Sequence, residues 1–311
     1  MQHPQPLSPT RTFFLGTDWW TDCDDCVALR ILARAVLAGK VSLAGVTVNA
    51  CMEYSVASLD GFLASEGLNG IPIGIDTDAT DFGGTPPYQK RLAQYARTYR
   101  SNADAEDALR LYRRVLEGAK NKIELIEIGY LQVVAALLES EGDDISPLSG
   151  LELVRQKVSH IWVMAGKWDE CEGRENNFAR NARSRRAGHV FCELCPVPVT
   201  FLGFEVGDTV ISGRALQNGV LYDALCDHGS KNGHCSWDPM LVALALCGDA
   251  EQAGYRTVYG TASVDAETGI NHFREHADGL HRYVIKQWPN ERYEALLEQE
   301  IAEHTAKGEL S

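Results

Sequence analysis

Four aspartates directly follow an apolar run near the N-terminus, and this arrangement constrains the fold more than any other feature of the chain. The stretch Thr12–Leu29 reads TFFLGTDWWTDCDDCVAL, with carboxylates at Asp18, Asp22, Asp24 and Asp25. An apolar run of strand length, a polar turn and then a helical pattern indicate a β-strand that delivers its C-terminal end into a loop. In open α/β sheets, ligands bind at that edge.

The four carboxylates repel one another, so either a cation neutralises them or water solvates them. Ligands that are all oxygen suit a hard cation such as Ca²⁺ or Mg²⁺. An alternative is that Asp24 and Asp25 occupy the first turn of a helix beginning near Cys26, where acids favour the helix dipole. That explanation omits Asp18 and Asp22, which flank two tryptophans where a surface turn normally offers Gly, Pro or Asn. We therefore favour a metal or catalytic role.

Composition limits the partners of the chain. Its 311 residues carry a net charge of −14, which argues against nucleic-acid polymers and anionic membrane surfaces. No apolar run is long enough to span a bilayer. Residues 1–10, with three prolines, are predicted to be a flexible tail, and we favour a single domain over residues 11–311.

The cysteines indicate a reducing compartment. They number nine, an odd count, and no apolar signal segment precedes them, so we expect a cytoplasmic protein without a disulfide framework. Cys23-x-x-Cys26 and Cys192-x-x-Cys195 have the spacing of zinc half-sites. The first pair is interleaved with the acids and the second runs into Pro196, so a four-cysteine zinc site is not expected.

Strand and helix patterns alternate along the chain. Helical patterns cover Val27–Leu37, Ser55–Leu68, Ala103–Gly118, the segment within His234–Ala245 and Glu291–Lys307, and strand patterns cover Val41–Val48, Ile71–Ile75, Ile123–Ile128, His160–Ala165 and the start of Pro198–Gly213. Asp76–Pro87 is predicted to be a loop, and the region from Thr257–Val264 to Tyr283–Lys286 is predicted to be hairpin-like. The alternation predicts an α/β fold with a mostly parallel central sheet flanked by helices.

The acid stretch also resembles a known family. GTDWWTDCDDCVAL is similar to the N-terminal signature of the inosine/uridine-preferring nucleoside hydrolases, D-x-D-P-G-x-D-D-A, and to its longer variant, D-T-D-x-G-x-D-x-D-D. In the longer alignment all four acids of this chain fall on acids. Two positions depart, since Gly16 replaces the first Asp and Trp20 replaces the loop glycine. The resemblance implies the nucleoside-hydrolase, Rossmann-like architecture.

Later segments extend the resemblance to about Lys286. The matching segments are VTVNA with Asn49, EIGYLQVVA with Ile128, HIWVMA, GRENNF with Glu175 and Asn177, GFEVG with Glu205, and WDPMLVALA with Asp238. The residues alone leave other readings open: Glu175 as a surface acid, Glu205 as a helix cap, and Asp238 as the N-cap of a helix with Pro239 at its first position. Gln132 and Val133 replace a Thr-Asn pair of the family, which the sequence does not explain.

The resemblance implies hydrolysis of the N-glycosidic bond of a ribonucleoside. It implies one Ca²⁺ held by Asp18, Asp25, Asp238 and the Ile128 carbonyl, with Asp18 as the base and Asp22 as the alternative base. It implies that Asp24, Asn49, Glu175 and Asn177 hold the ribose. Trp19, Trp20 and Trp237 are candidates to stack on the departing base, although core packing is the commoner role for a tryptophan. We expect a homodimer or homotetramer.

One family residue is missing. The histidine that precedes the metal-binding aspartate and helps to protonate the leaving base is Trp237 here, and Trp cannot supply that proton. His234 is a possible substitute, or it faces solvent.

Two other function classes remain open at this point. Haloacid-dehalogenase phosphotransferases also place an Asp after a strand, with Mg²⁺, and they read D-x-D-x-T or V. The segment Asp18–Thr21 lacks the second Asp. The third class is a non-enzymatic, calcium-stabilised nucleoside or sugar binder, which the departures at Gly16, Trp20 and Trp237 favour.

Overall fold

The computed structural model describes residues 11–302. Residues 1–10 and 303–311 lie outside the described residues, and with them the predicted tail and the end of the predicted helix Glu291–Lys307. The strands are β1 (Arg11–Thr17), β2 (Val41–Val48), β3 (Ile73–Ile75), β4 (Glu106–Asp107), β5 (Ile123–Glu127), β6 (Val158–Met164), β7 (Gly173–Arg174), β8 (Val199–Leu202), β9 (Ile211–Ser212), β10 (His234–Cys235), β11 (Tyr255–Val264), β12 (Ile270–Glu275) and β13 (His281–Lys286).

The helices alternate with these strands. They are α1 (Asp24–Leu37), α2 (Ser55–Ser65), α3 (Pro87–Leu92), α4 (Ala108–Gly118), α5 (Gln132–Glu139), α6 (Gly150–Lys157), α7 (Asn176–Ala179), α8 (Ala182–Leu194), α9 (Phe204–Gly207), α10 (Val220–His228), α11 (Trp237–Cys247) and α12 (Asn290–Ile301). Among residues 11–302, no helix combines the length and the apolar character that crossing a bilayer requires.

The described strands form one large, mostly parallel sheet. Its order is β4-β3-β2-β1-β5-β6-β8-β13-β11-β12-β7, and β9 pairs separately with β10. All neighbours from β4 to β13 in this order are parallel. The pairs β13–β11, β11–β12 and β12–β7 are antiparallel. The predicted α/β class and the predicted C-terminal hairpin-like region are confirmed.

Helices cover both faces of the sheet, which explains the continuous apolar strands. Phe13 and Leu15 of β1 pack in a core with α1, α2, α10, α11 and α12. Phe14, between them, points to a second core with α4, α5, α6 and α8. Cys23 and Cys26 lie in the first core, and Cys192 and Cys195 lie in the second. The sheet separates the two pairs, in agreement with the prediction of no four-cysteine zinc site.

Several predicted boundaries are wrong, each for a local reason. Residues 103–107 are not part of α4, because Asp107 caps that helix and its side chain accepts a hydrogen bond from Arg110 N at 3.0 Å. Asn102–Asp104 form a separate 3₁₀ turn. Helix α2 ends at Ser65 because Gly67, with φ +87°, closes it in a Schellman motif. Helix α1 begins three residues before Val27, at Asp24.

The start of α11 also differs from the sequence prediction. Trp237 is its first residue and Ser236 precedes it, so Asp238 is not the N-cap and Pro239 is the third helical residue. Proline is still tolerated there, because the first turn has no intrahelical acceptors for its N–H groups. Asp238 is therefore free of the capping role that the sequence suggested.

Candidate functional site

The residues that follow β1, β2, β5, β6 and β8 meet at one edge of the sheet, as parallel strands require. Beside this edge is a small open cavity of about 200 Å³, below the roughly 300–1,000 Å³ of drug-sized sites. The described residues that line it are Asp18, Trp20, Thr21, Asp22, Asp24, Ile128, Met164, Glu175, Asn176, Asn177, Arg180, Phe204, Trp237 and Asp238. The cavity suits a small molecule.

The loop after β1 is held in an uncommon conformation. Trp19 and Thr21 have φ of 50° and 69°, in the left-handed region that bulky residues rarely adopt. The Trp19 indole is fully buried, donates to Ser58 Oγ at 2.8 Å, and packs against Phe62. This anchor fixes the loop, so Trp19 is a core residue and not a base-stacking one. The left-handed positions flank Trp20, which explains how a non-glycine residue fits there.

The acids of the loop are buried, so the solvated-loop reading is wrong for most of them. Asp18 is 7% exposed, Asp24 and Asp25 are each 1% exposed, and Asp238 is 5% exposed. Asp24 and Asp25 do occupy the first turn of α1, as the alternative reading requires. Carboxylate oxygens of Asp22, Asp24 and Asp25 lie within 4.8 Å of one another. The loop therefore concentrates negative charge away from water.

The electrostatics of this cluster call for a cation. Burial, followed by repulsion from neighbouring aspartates, raises the pKa of Asp18, Asp24 and Asp238 well above the usual range. Burial and Asp22 raise the pKa of Asp25 to about 8. Thr17 Oγ1 donates to Asp25 Oδ1, while Asp25 Oδ2 is buried without a hydrogen-bond partner among the described residues. An all-oxygen donor set with an orphaned carboxylate oxygen fits a hard divalent cation.

Two distant parts of the chain build the cluster. The backbone N–H of Asp238 donates to Asp24 Oδ2 at 3.1 Å, across 214 residues of sequence. This contact is possible because α11 packs along α1.

The predicted residues Asp18, Asp22, Asp24, Ile128, Glu175, Asn177, Trp20, Trp237 and Asp238 line the cavity, whereas Trp19, Asp25 and Asn49 do not. Asn49 is buried, and its Oδ1 accepts from Tyr130 N at 3.1 Å. The Gln132 side chain donates to the Asn49 carbonyl and so joins the start of α5 to the residue that follows β2. Gln132 is one of the two residues that replace the Thr-Asn pair of the family. The substrate contact assigned to Asn49 stays a prediction.

Glu175 is not a surface acid. It is buried beside the cavity, its Oε1 caps α7 through Asn177 N at 2.6 Å, and its Oε2 accepts from Gly166 N at 2.9 Å. Burial raises the pKa of Glu175 to about 7. Asn177 Nδ2 donates to the Met164 carbonyl at 2.9 Å. Glu205 lies outside the wall, in the first turn of α9, where its Oε2 accepts from Trp168 N at 3.2 Å.

Some cavity residues were not found from the sequence. Arg180 is the only basic residue among the described residues of the wall, and its guanidinium lies 5.0 Å from the Trp20 ring. It comes just after GRENNF, so that motif was the available signal. Phe204 stacks on Trp237 with ring centroids 5.3 Å apart. His234 packs 6.0 Å from the Trp237 ring and is not part of the wall.

The replacement of the family's first Asp by Gly16 has a steric explanation. A Cβ at Gly16 would overlap Oε2 of Glu127 on the adjacent strand β5. Glu127 is fully buried, and Tyr112 donates its hydroxyl to the other carboxylate oxygen. Glu127 therefore fills the space that a side chain at position 16 would need, and only glycine fits beside it.

Gly16→Ala should lower the free energy of unfolding by about 1–3 kcal/mol, the typical cost of overpacking a core. The double variant Gly16→Ala/Glu127→Ala should be more stable than the sum of the single effects predicts, because the second change removes the obstacle. Urea unfolding of the four proteins measures this coupling. Strict additivity would contradict the close packing of the two residues.

In chelated, metal-free protein, stability should fall as pH rises from about 4 to about 8. Burial raises the pKa of Glu127 and Asp25 to about 8 and that of Glu175 to about 7. A raised folded-state pKa means that the folded protein binds these protons more tightly, so deprotonation destabilises it. The slope is at most about 1.4 kcal/mol per pH unit for each group. Urea midpoints that rise over this range would contradict the assignment, and Glu127→Gln should flatten the slope.

The fold has known counterparts. No protein-family model and no curated protein matches the sequence. The solved structure of an inosine-uridine preferring nucleoside hydrolase from Bacillus anthracis superimposes with a TM-score of 0.65 at 15% identity, covering 94% of this chain and 99% of that one. The fold matches that of a nucleoside hydrolase.

Two effector proteins share it. The type III effector XopQ, solved in complex with adenosine diphosphate ribose, superimposes with a TM-score of 0.63 at 16% identity over 92% of each chain. The effector protein XOO4466 gives a TM-score of 0.59 at 15% identity over 92% of this chain and 91% of that one. At these identities the likeness establishes the architecture and not the reaction.

Proposed function

We propose that the protein hydrolyses the N-glycosidic bond of a ribonucleoside with the help of one Ca²⁺. The observation that supports this most is the buried acid cluster at the sheet edge, with Asp25 Oδ2 lacking a hydrogen-bond partner among the described residues. The fold match favours a glycosidase over a phosphotransferase, which Asp18–Thr21 already fits poorly. Asp18, Asp25, Asp238 and the carbonyl of Ile128 would hold the ion. When bound, Ca²⁺ supplies positive charge that orients hydroxyl groups and makes water more acidic.

The other steps of the reaction are assigned to side chains of the cavity and its surroundings. Asp18 takes the proton of the attacking water, because it lines the cavity beside the other acids and an ionised carboxylate there can accept a proton. Asp22, also in the wall, is the alternative base. Asp24, Asn49, Glu175 and Asn177 hold the ribose. The carboxylates also stabilise positive charge on the sugar as the bond to the base breaks.

The wall offers an aromatic surface for the base. Trp237 and Phe204 stack on each other at the cavity, so a nucleobase can add to that stack. The indole N–H of Trp237 donates to the Phe204 carbonyl at 2.8 Å and is no proton source. Cleavage of substrates whose base must be protonated as it leaves should therefore be slow in this protein.

The protein should cleave p-nitrophenyl riboside well and inosine poorly, because only the purine needs a proton as it leaves. General acid assistance is worth about 10²–10⁴ in rate, which sets the expected gap. Steady-state rates on both substrates, with calcium present, measure it. His234→Ala should change neither rate by much, since His234 lies outside the cavity wall.

Comparable rates on the two substrates would contradict the absence of an acid. A selective loss of inosine cleavage in His234→Ala would identify that residue as the acid. No cleavage of either substrate with calcium bound would favour a non-enzymatic binder.

Binding without hydrolysis is the second candidate, and Arg180 favours it. XopQ was solved with adenosine diphosphate ribose, and Arg180 is the cation at this cavity that suits a phosphate. Calorimetric titration with adenosine diphosphate ribose, compared between wild type and Arg180→Gln, separates this candidate from hydrolysis.

We also propose that the protein is a cytoplasmic homodimer or homotetramer. Light scattering measures the number of subunits.

A further inference from the structure

A second group of metal-ligating side chains lies next to the acid loop. Cys23, His228 and His234 each place a ligand atom within 4.8 Å of the other two. They come from three parts of the chain: the acid loop, the C-terminal turn of α10, and strand β10. None of the three lines the cavity, and none belongs to the calcium site proposed above.

The carbonyl contacts of the two histidines fix which ring nitrogen carries the proton. His228 Nε2 lies 3.1 Å from the Thr21 carbonyl, and His234 Nδ1 lies 3.0 Å from the Cys235 carbonyl. A carbonyl only accepts, so both of these nitrogens carry the proton. The lone pairs are then on Nδ1 of His228 and Nε2 of His234. Metal-binding histidines are typically oriented in this way, with the opposite N–H bound to a carbonyl or carboxylate.

A hydroxyl group contacts one of the three ligands. His228 Nδ1 accepts from Ser230 Oγ at 2.8 Å, so a metal bound by this nitrogen displaces the Ser230 hydroxyl. The imidazoles of His228 and His234 meet edge to face with centroids 5.2 Å apart. His228 also lies in the last turn of a nine-residue helix, where the dipole favours a cation.

We propose that Cys23, His228 and His234 bind one Zn²⁺. One thiolate and two imidazoles suit zinc and not calcium, which prefers oxygen. Three protein ligands leave a fourth tetrahedral position for water. The ion fastens the acid loop to the segment between α10 and α11, and so supports the cavity wall without taking part in it.

Cobalt substitution tests the site in the full-length protein. After chelation and dialysis, Co²⁺ should bind at one equivalent and give the near-ultraviolet charge-transfer band of a thiolate ligand. Co²⁺ at the aspartate cluster has only oxygen ligands and gives no such band. Zn²⁺ should then displace Co²⁺ and remove the band.

The variants Cys23→Ser, His228→Asn and His234→Asn should each lose the band. Each should weaken zinc binding by more than the roughly 10–100-fold that is typical for losing a residue that only hydrogen-bonds to a metal ligand. Cys26→Ala is the matched control, because Cys26 is the other buried cysteine of the same pair. Asp238→Asn, at the proposed calcium site, should also keep the band.

Circular dichroism checks that each variant is folded. If Cys23→Ser does not fold, the test rests on His234→Asn, because His234 is only half-buried. Absence of the band in folded wild type would overturn the proposal. A band that persists in both histidine variants but disappears in Cys26→Ala would overturn it as well. Both results are independent of any glycosidase activity.

Discussion

Asp18→Asn is expected to lower kcat on p-nitrophenyl riboside by about 10²–10⁴, the range that a positioned general base contributes. The amide keeps an oxygen that can accept from Trp20 N, which Asp18 Oδ1 does at 2.9 Å. It cannot take a proton from water. Because the wild-type carboxylate is buried and repelled by Asp25, the variant should be at least as stable as wild type in the absence of metal.

Asp22→Asn is the matched comparison. Asp22 is half buried, lies in the same loop and lines the same cavity. Asp22→Asn therefore removes the same negative charge from the same region. Rates and urea midpoints for both variants separate catalysis from folding. Full activity of Asp18→Asn together with an inactive Asp22→Asn would transfer the role of base to Asp22.

Asp238→Ala is expected to abolish calcium binding and, with it, the calcium-dependent rise in melting temperature. A ligand that binds only the folded state stabilises it by about 2.7 kcal/mol at a hundredfold excess over Kd. The variant should lose that increment and yet melt no lower than wild type in chelator, because removing one buried carboxylate relieves repulsion on Asp24 and Asp25. Asp25→Ala should behave in the same way.

Asp278→Ala is the control for this experiment, since Asp278 is an exposed turn residue. Its melting temperature should respond to calcium as wild type does. One calcium per chain by elemental analysis of Asp238→Ala would rule out this ligand. A rise in melting temperature on adding calcium to both aspartate variants would lead to the same conclusion.

The features that could be predicted from the sequence are those that depend on residues close together in the chain. The run Thr12–Leu29 carries a strand, a loop and a helix in order, so the sheet edge and its acids follow from periodicity alone. Ile128 was predicted only from the resemblance to the nucleoside hydrolases. The structure places it in the cavity wall, because parallel strands bring their carboxyl ends together.

What the sequence could not predict depends on contacts between distant residues. The Glu127 carboxylate beside Gly16 is a contact across two strands, and no pattern within either strand reveals it. The same holds for His228 beside Cys23, since they are 205 residues apart in the numbering. Trp19 was a candidate for base stacking, yet its indole fills the core against Phe62. A tryptophan in an acid loop carries no local signal for which way it points.

The contact between Asp24 and Asp238 has a consequence for the order of folding. It spans 214 residues, so it raises the contact order of the chain and belongs to the slow, late part of assembly. At a synthesis rate of about 5–20 residues per second, the acid loop leaves the ribosome about 10–40 seconds before its partner. A nascent chain that ends before α11 holds the loop without the aspartate that completes the cluster. A cation that needs Asp238 as a ligand can therefore bind with its full set of ligands only after α11 has been made.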